Sequence, residues 1–438
     1  MKLLFVSLGC DKNLVDSEVM LGLLDGRGYE MTDDEAEADI IIINTCCFIN
    51  DAKEESIQTI LEMAEYKKSG SCKALIVTGC LAQRYKKEIV DEISEVDAVL
   101  GTTTYEEILK AVDEAMAGHQ LLEFHDVNML PEKRQKRILT TGGHYAHLKI
   151  AEGCDKHCTY CIIPFARGRV RSRKIADVLR EVETLASKGY KEVVLTGIHL
   201  SSYGVDFSKE ERESLLSLIQ AVSKVEGIQR IRLGSLEPRI ITEEFLEGIV
   251  ATGKVCPHFH LSLQSGCNKT LKNMNRRYSA QEYAEKCELI RKYYPAPALT
   301  TDVIVGFPME TEEDFEESYE FVKNIHFYET HIFKYSRRHG TKAAAMDGQL
   351  TEAVKAQRSE KLLELHDIRA KEYEEAMIGK TIELLLEEEI EEDGKMWYVG
   401  HSREYVRAVI EKTEAHQVND LVEAKVTGFV TDHLLRAE

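Results

Sequence analysis

Six of the eleven cysteines in this 438-residue chain fall into two sets of three. The tight set lies in EGCDKHCTYC, where Cys154, Cys158 and Cys161 take C-x3-C-x2-C spacing. The loose set is Cys10, Cys46 and Cys80, each closing an apolar run: LLFVSLGC, ADIIIINTC and ALIVTGC. Spacing as compressed as that of the tight set does not suit a disulfide framework. Structural zinc takes four ligands and favours C-x2-C pairs, and no fourth ligand stands at matching spacing. His157, inside the loop, is expected to face solvent. Two separate triplets point instead to two iron–sulfur clusters, each with one iron open for chemistry. A lone cysteine at a strand end would read as a buried thiol; three at equivalent strand ends read as a shared site. Cys47 and Cys72 lack that placement and are read as structural.

The elements that must position these thiols follow from the hydrophobic pattern. Residues 1–115 alternate short apolar runs with helically spaced stretches such as NLVDSEVMLGLLDGRG and DAKEESIQTILEMAEYKK. That alternation predicts a parallel α/β domain, in which ligands sit beyond the carboxyl ends of the strands. Cys10, Cys46 and Cys80 all lie at such ends. Residues 116–143 are polar and weakly periodic and read as a linker. Residues 144–370 resume the alternation with six strand–helix repeats, which predicts an open partial (β/α)6 barrel with function at the strand ends. Residues 375–438 carry short strands separated by turns such as EDGK and predict a small antiparallel β-barrel. Trp397, the one tryptophan, is assigned to that barrel's core. The fold class is therefore α/β with a terminal β-barrel.

Composition narrows the setting. Hydrophobic residues make up 43% of the chain, yet no apolar run is long enough to span a membrane. MKLLFVSLGC is broken at once by Asp11 and Lys12, so it reads as a first strand and not as a signal peptide; a cytoplasmic protein without a membrane partner is expected. Cytosolic disulfides are rare, so the cysteines point to metal or redox chemistry. The net charge of −20 argues against nucleic-acid binding by the protein as a whole. A local exception is FARGRVRSRK, where Arg167, Arg169, Arg171 and Arg173 occupy alternate positions. In an extended segment they would form a one-sided row suited to phosphate. Arg276, Arg277, Lys334, Arg337, Arg338 and Lys342 follow later strands. Solvated or salt-bridged arginines are the plain alternative. In residues 379–438, by contrast, seven bases face fourteen acids, a balance suited to a basic protein partner.

Three thiolates from one loop after the first barrel strand fit a [4Fe–4S] cluster whose fourth iron can take S-adenosylmethionine and yield a carbon radical. At this point the chain resembles the radical S-adenosylmethionine superfamily, and its second cysteine triplet resembles that of the methylthiotransferases. The resemblance covers nearly the whole chain. It implies an N-terminal domain with an auxiliary [4Fe–4S] cluster on Cys10, Cys46 and Cys80, a radical barrel with its cluster on Cys154, Cys158 and Cys161, and a C-terminal TRAM β-barrel. Tyr160, Gly197, Gln264 and Asp302 become candidates for binding S-adenosylmethionine, which would serve as methyl donor and as radical source. An electron donor such as flavodoxin or ferredoxin is implied. A two-cluster electron-transfer protein would need neither the barrel nor the arginines.

Two sister families share the resemblance. VSLGCDKNLVDSEVMLG and NTCCFINDAKEESI resemble the family acting on an aspartate of ribosomal protein S12, although that family usually has Pro at the place of Asp11 and Gly at that of Cys47. FARGRVRSRK, VVLTGIHLSSYG, LGSLEP, HLSLQSGCNKTLKNMNRRY, TTDVIVGFP and FKYSRRHGTKAA resemble the threonylcarbamoyladenosine-tRNA family. Because substrate choice should lie in the barrel and the TRAM domain, the expected reaction is methylthiolation at C2 of N6-threonylcarbamoyladenosine at position 37 of ANN-decoding tRNA. Arg167, Arg169, Arg171, Arg173 and Arg277 are the candidate phosphate contacts in the anticodon loop. Methylthiolation of the S12 aspartate is the alternative.

Overall fold

Runs such as IIII and ALIV leave a strand no polar face, so each must be covered on both sides. The computed structural model, which describes residues 1–129, 137–211, 213–392 and 394–438, meets this with one six-stranded sheet. Its strands are β1 (Lys2–Ser7), β2 (Glu30–Met31), β3 (Ile40–Thr45), β4 (Ala74–Gly79), β5 (Ala98–Leu100) and β6 (Leu121–Glu123), in the order β2-β1-β3-β4-β5-β6. All five pairings are parallel. Alternate residues serve opposite faces. Ile40, Ile42 and Ile76 pack with Met20 and Leu24 of helix α1 (Asp11–Asp25) and with Ile108 and Val112. Ile41, Ile43 and Val77 pack with Ile60 and Met63 of helix α2 (Asn50–Ser69).

Beyond the three expected strands, the sheet contains β2, β5 and β6. These are two or three residues long, too short to show a period. β6 lies within the stretch read as a linker, and residues 130–136 of that stretch fall outside the described residues.

The chain divides into two compact units. The first comprises residues 1–140, 151–171 and 336–341; the second comprises residues 141–150, 172–335 and 342–438. β7 (Tyr145–Glu152) begins in the second unit and ends in the first. β8 (Arg171–Ser172), β9 (Glu192–Gly197) and β10 (Arg230–Leu233) join it in the order β10-β9-β7-β8. β11 (His258–His260), β12 (Ala298–Val305) and β13 (Glu329–Lys334) form a parallel sheet, and the bridge Leu236↔Leu261 links the stretch after β10 to the stretch after β11. Helices Ile175–Ser187, Leu215–Val222, Glu243–Val250, Ala280–Tyr293 and Glu312–Ile325 alternate with these strands. This is the open β/α arc that the sequence predicts.

The long helix Glu352–Glu375 leads to β14 (Thr381–Glu392), β15 (Lys395–Ser402), β16 (Arg407–Glu411), β17 (Leu421–Thr431) and β18 (Leu434–Ala437). They close a barrel in the order β14-β15-β16-β18-β17, with one parallel pair, β16 with β18. Trp397 packs with Val399, Val409 and Leu434. Arg230 and Arg232 of β10 reach this barrel: Arg230 pairs with Glu383 at 2.8 Å, and Arg232 donates to the carbonyls of Ser402 and Arg403 at 3.1 and 3.0 Å. Among the described residues no helix is long and apolar enough to cross a membrane.

Candidate functional site

Parallel pairing fixes where the loose cysteines emerge. Thr45 of β3 is in register with Gly79 of β4, so Cys46 and Cys80 leave adjacent strands at the same level. On the other side β3 pairs with β1, and Cys10 caps the N-terminus of α1 just beyond β1. β1 is also where the strand order reverses, the position at which open α/β sheets bind ligands. Gly9 makes the approach possible. It has φ +92°, and a Cβ there would lie 2.7 Å from Cys46 Cβ and 3.0 Å from Cys46 Sγ.

A polar lattice holds these strand ends together. Asn13 is fully buried; its Nδ2 donates to the carbonyls of Leu8 and Thr45 at 3.0 and 2.9 Å. Its Oδ1 accepts from Arg167. Arg167 is also buried, with Nη1 2.7 Å from Asp16 and 3.5 Å from Glu152, and with Nε donating to Cys80 Sγ at 3.2 Å. Burial pushes the Cys80 thiol up to about 11, while the Arg167 guanidinium pulls it down.

The tight triplet sits on a loop that turns sharply at both ends. Gly153 has φ +70°, and a Cβ there would fall 1.8 Å from the Arg169 carbonyl oxygen. Cys154 N–H donates to the Gly168 carbonyl at 2.9 Å, closing the loop, and Cys161 N–H donates to the Cys158 carbonyl at 3.0 Å. The short helix Ile163–Arg167 follows, and the Thr102 hydroxyl holds its Ala166 carbonyl at 2.7 Å. The Arg338 guanidinium donates to the Tyr160 carbonyl at 2.7 Å and lies over the Phe48 ring at 5.2 Å. Burial pushes the Cys154 and Cys161 thiols up to about 11 and about 12. His157 is exposed, with φ +48°. Cys47 is buried beside the loose triplet, next to Cys46 and in one apolar cluster with Cys80, and Cys72 is buried and donates to the Ala74 carbonyl.

In donor chemistry each set offers three cysteine sulfurs, which suit an iron–sulfur cluster. The buried thiols among them, such as Cys80 and Cys161, need a centre of positive charge before they ionise. Among the described residues no group of three His, Cys, Asp or Glu side chains is placed to hold a single metal ion.

The candidates for S-adenosylmethionine divide between the units. Tyr160 is buried in the first. In the second, Gly197 ends β9, and Gln264 is held at φ +72° with its N–H on the Asp302 carbonyl at 2.8 Å and its carbonyl on Ile304 N–H at 2.9 Å. The Asp302 carboxylate lies 3.2 Å from His260 Nε2.

The expected one-sided row of guanidiniums does not form. Pro164 starts a helix that runs to Arg167, and Gly168 then turns at φ +69°, so the extended period of two begins too late. Arg167 is buried. Arg171 is buried too, donating to the carbonyls of Arg167 and Arg169 at 2.9 and 2.7 Å. Arg173 is bound to Glu181 at 2.7 Å and to the Lys149 carbonyl at 2.7 Å. Arg169 is exposed, and so, in the second unit, is Arg277. Four buried polar groups of this lattice, Asn13, Asp16, Glu152 and Arg167, were not singled out as partners of the thiols. The available signal was Asn13, Asp16 and Ser17 at i, i+3 and i+4 among the apolar residues of α1, which puts polar groups on a buried face.

Comparison with known proteins bears on the same residues. Residues 2–101 match the model of the uncharacterized protein family UPF0004, and residues 148–322 match the radical SAM superfamily. A ribosomal protein uS12 methylthiotransferase RimO from Lachnoclostridium phytofermentans is 48% identical over 90% of this chain and 89% of its own length. One from Clostridioides difficile is 40% identical over 98% of this chain and 99% of its own. Among solved structures, the radical S-adenosylmethionine methyltransferase TsrM from Kitasatospora setae superposes with a TM-score of 0.53 at 14% identity, covering 76% of this chain and 74% of that one, a likeness of fold. The relatives overturn the expectation of a tRNA substrate and tRNA partner. At 40–48% identity over nearly the full chain they carry the S12 name, so the stretches from Phe165 onward that suggested the tRNA family do not decide the substrate.

Proposed function

We propose that this chain, which belongs to the radical S-adenosylmethionine methylthiotransferase family, transfers a methylthio group to an aspartate of ribosomal protein S12 in the cytoplasm. The observation that carries this is the set of relatives 40–48% identical over 87–98% of the chain that bear the S12 name. Cys154, Cys158 and Cys161 would hold one [4Fe–4S] cluster, and Cys10, Cys46 and Cys80 the other. Bound there, the first supplies a S-adenosylmethionine-derived radical able to remove a hydrogen that no general base can take, and the second supplies the sulfur that is transferred.

The chain's own residues provide position and electrostatics. Asn13 ties the ends of β1 and β3 so that Cys10 and Cys46 stay together. Gln264 keeps a left-handed backbone conformation that a non-glycine residue adopts at a cost of about 1–3 kcal/mol, a feature that gathers at ligand sites. Gly197, Gln264 and Asp302 in the second unit, and Tyr160 in the first, are each candidates for S-adenosylmethionine. The acidic excess of residues 379–438 supports a basic protein partner.

The test is anaerobic incubation of the reconstituted protein with S-adenosylmethionine, a reductant and an equimolar mixture of S12 and unmodified tRNA. S12 should gain the mass of a methylthio group in place of hydrogen. Modification of the tRNA with S12 unchanged would refute the proposal.

A further inference from the structure

The feature that the proposed reaction leaves unexplained is a buried guanidinium bonded to a cysteine sulfur. Arg167 is 1% exposed. Nη1 meets Asp16 at 2.7 Å and Glu152 at 3.5 Å, and Nη2 donates to Asn13 Oδ1. Those three groups fix the plane of the fork and leave Nε–H to point at Cys80 Sγ, 3.2 Å away. The main chain around it is fixed as well: Arg171 donates to the Arg167 carbonyl at 2.9 Å, and Thr102 holds the preceding carbonyl at 2.7 Å. An arginine used only to neutralise Asp16 and Glu152 could have been placed away from the thiol. This one is also the last residue of a helix that starts two residues after Cys161. One rigid turn therefore carries a ligand of the tight triplet at its start and a donor to the loose triplet at its end.

We infer that Arg167 is a positioning residue for the cluster held by Cys10, Cys46 and Cys80, donating Nε–H to the Cys80 sulfur and raising that cluster's reduction potential. The inference rests on the ligand assignment given under the proposed function. A donor to a ligating sulfur, and a positive charge beside it, both stabilise the more negative, reduced state of a cluster. Asp16 and Glu152 offset the charge, so the directed N–H carries the effect and lysine cannot replace it in full. No group is transferred and no proton moves.

The test uses the full chain with Cys154, Cys158 and Cys161 changed to Ala, so that the cluster observed is the one on the loose triplet. Its midpoint is read by electron paramagnetic resonance during a redox titration. Arg167→Met should lower the one-electron equilibrium constant about tenfold, about 59 mV. Arg167→Lys, which keeps the charge without Nε, should lower it by less. Protein grown on nitrogen-15 arginine should show a nitrogen coupling to the reduced cluster that Arg167→Lys removes. If either substitution prevents iron uptake, the coupling in the chain with Arg167 intact decides alone. Clusters with unchanged midpoints in both variants, or no arginine coupling, would overturn the inference. Failure of the triple-alanine chain to take up any cluster would instead overturn the ligand assignment beneath it.

Discussion

Replacing Asn13 by alanine tests how the strand ends are held. Asn13 is fully buried; its side chain donates to the Leu8 and Thr45 carbonyls and accepts from Arg167, with a weaker, longer bond from the Cys80 thiol at 3.7 Å. Two neutral hydrogen bonds are worth about 1 kcal/mol each, and one to a charged group about 1.5–3 kcal/mol. The sum is about 4 kcal/mol, a large share of the ~5–15 kcal/mol that stabilises a typical domain. The loss falls on the ends of β1 and β3, so it should open the Cys10 and Cys46 positions before it melts the sheet core at Ile41 and Ile42. Anaerobic urea denaturation of the iron-free protein should show a lowered midpoint with an unchanged slope, and reconstituted protein should lose iron from one cluster only. A shift below about 1 kcal/mol with full iron content would refute the role given to Asn13.

Three further outcomes follow from the same geometry. Cys158→Ala should abolish formation of 5′-deoxyadenosine, whereas Cys80→Ala should retain it and lose methylthio transfer; chromatography of the nucleoside beside mass spectrometry of S12 separates the two. Glu192 is buried between Arg232 at 2.6 Å and Arg230 at 3.5 Å, so Glu192→Ala should cost about 3–5 kcal/mol, seen as a lower melting temperature and as faster proteolysis of residues 379–438. Burial pushes the Glu310 carboxyl up to about 7 against the pull of Arg358, from an ordinary value of ~4.3. Below that ordinary value the group is neutral in both states and costs nothing. As pH rises the unfolded chain ionises first, so the folded state loses up to about 3 kcal/mol, complete above about 7. Glu310→Gln should therefore gain melting temperature over the parent as pH goes from ~5 to ~8, and a constant difference across that range would count against it.

Much of this was legible because the responsible signals are local. LLFV, IIII and ALIV are long enough to announce strands buried on both faces, and a cysteine closing each run places the thiols without any tertiary information. The tight triplet is readable from spacing alone. The three-residue strands β5 and β6 were not, because no period fits in three residues and their pairing is dictated by neighbours already in the sheet. The alternate arginines misled because alternation implies one face only in extended chain. Pro164 and Gly168 carried the correction, since one starts a helix and the other ends it, and together they turn Arg167 inward. The lattice of Asn13, Asp16, Glu152 and Arg167 joins residues far apart in sequence and is set by the fold. Substrate identity was divided in the sequence between two sister families, and local segments could not resolve it.

If the two triplets serve methylthiolation of S12, a strain lacking this gene should lose the methylthio group from the S12 aspartate while methylthiolated threonylcarbamoyladenosine persists, as read by mass spectrometry of S12 peptides and of tRNA nucleosides. Loss of the tRNA modification with S12 still modified would contradict that role.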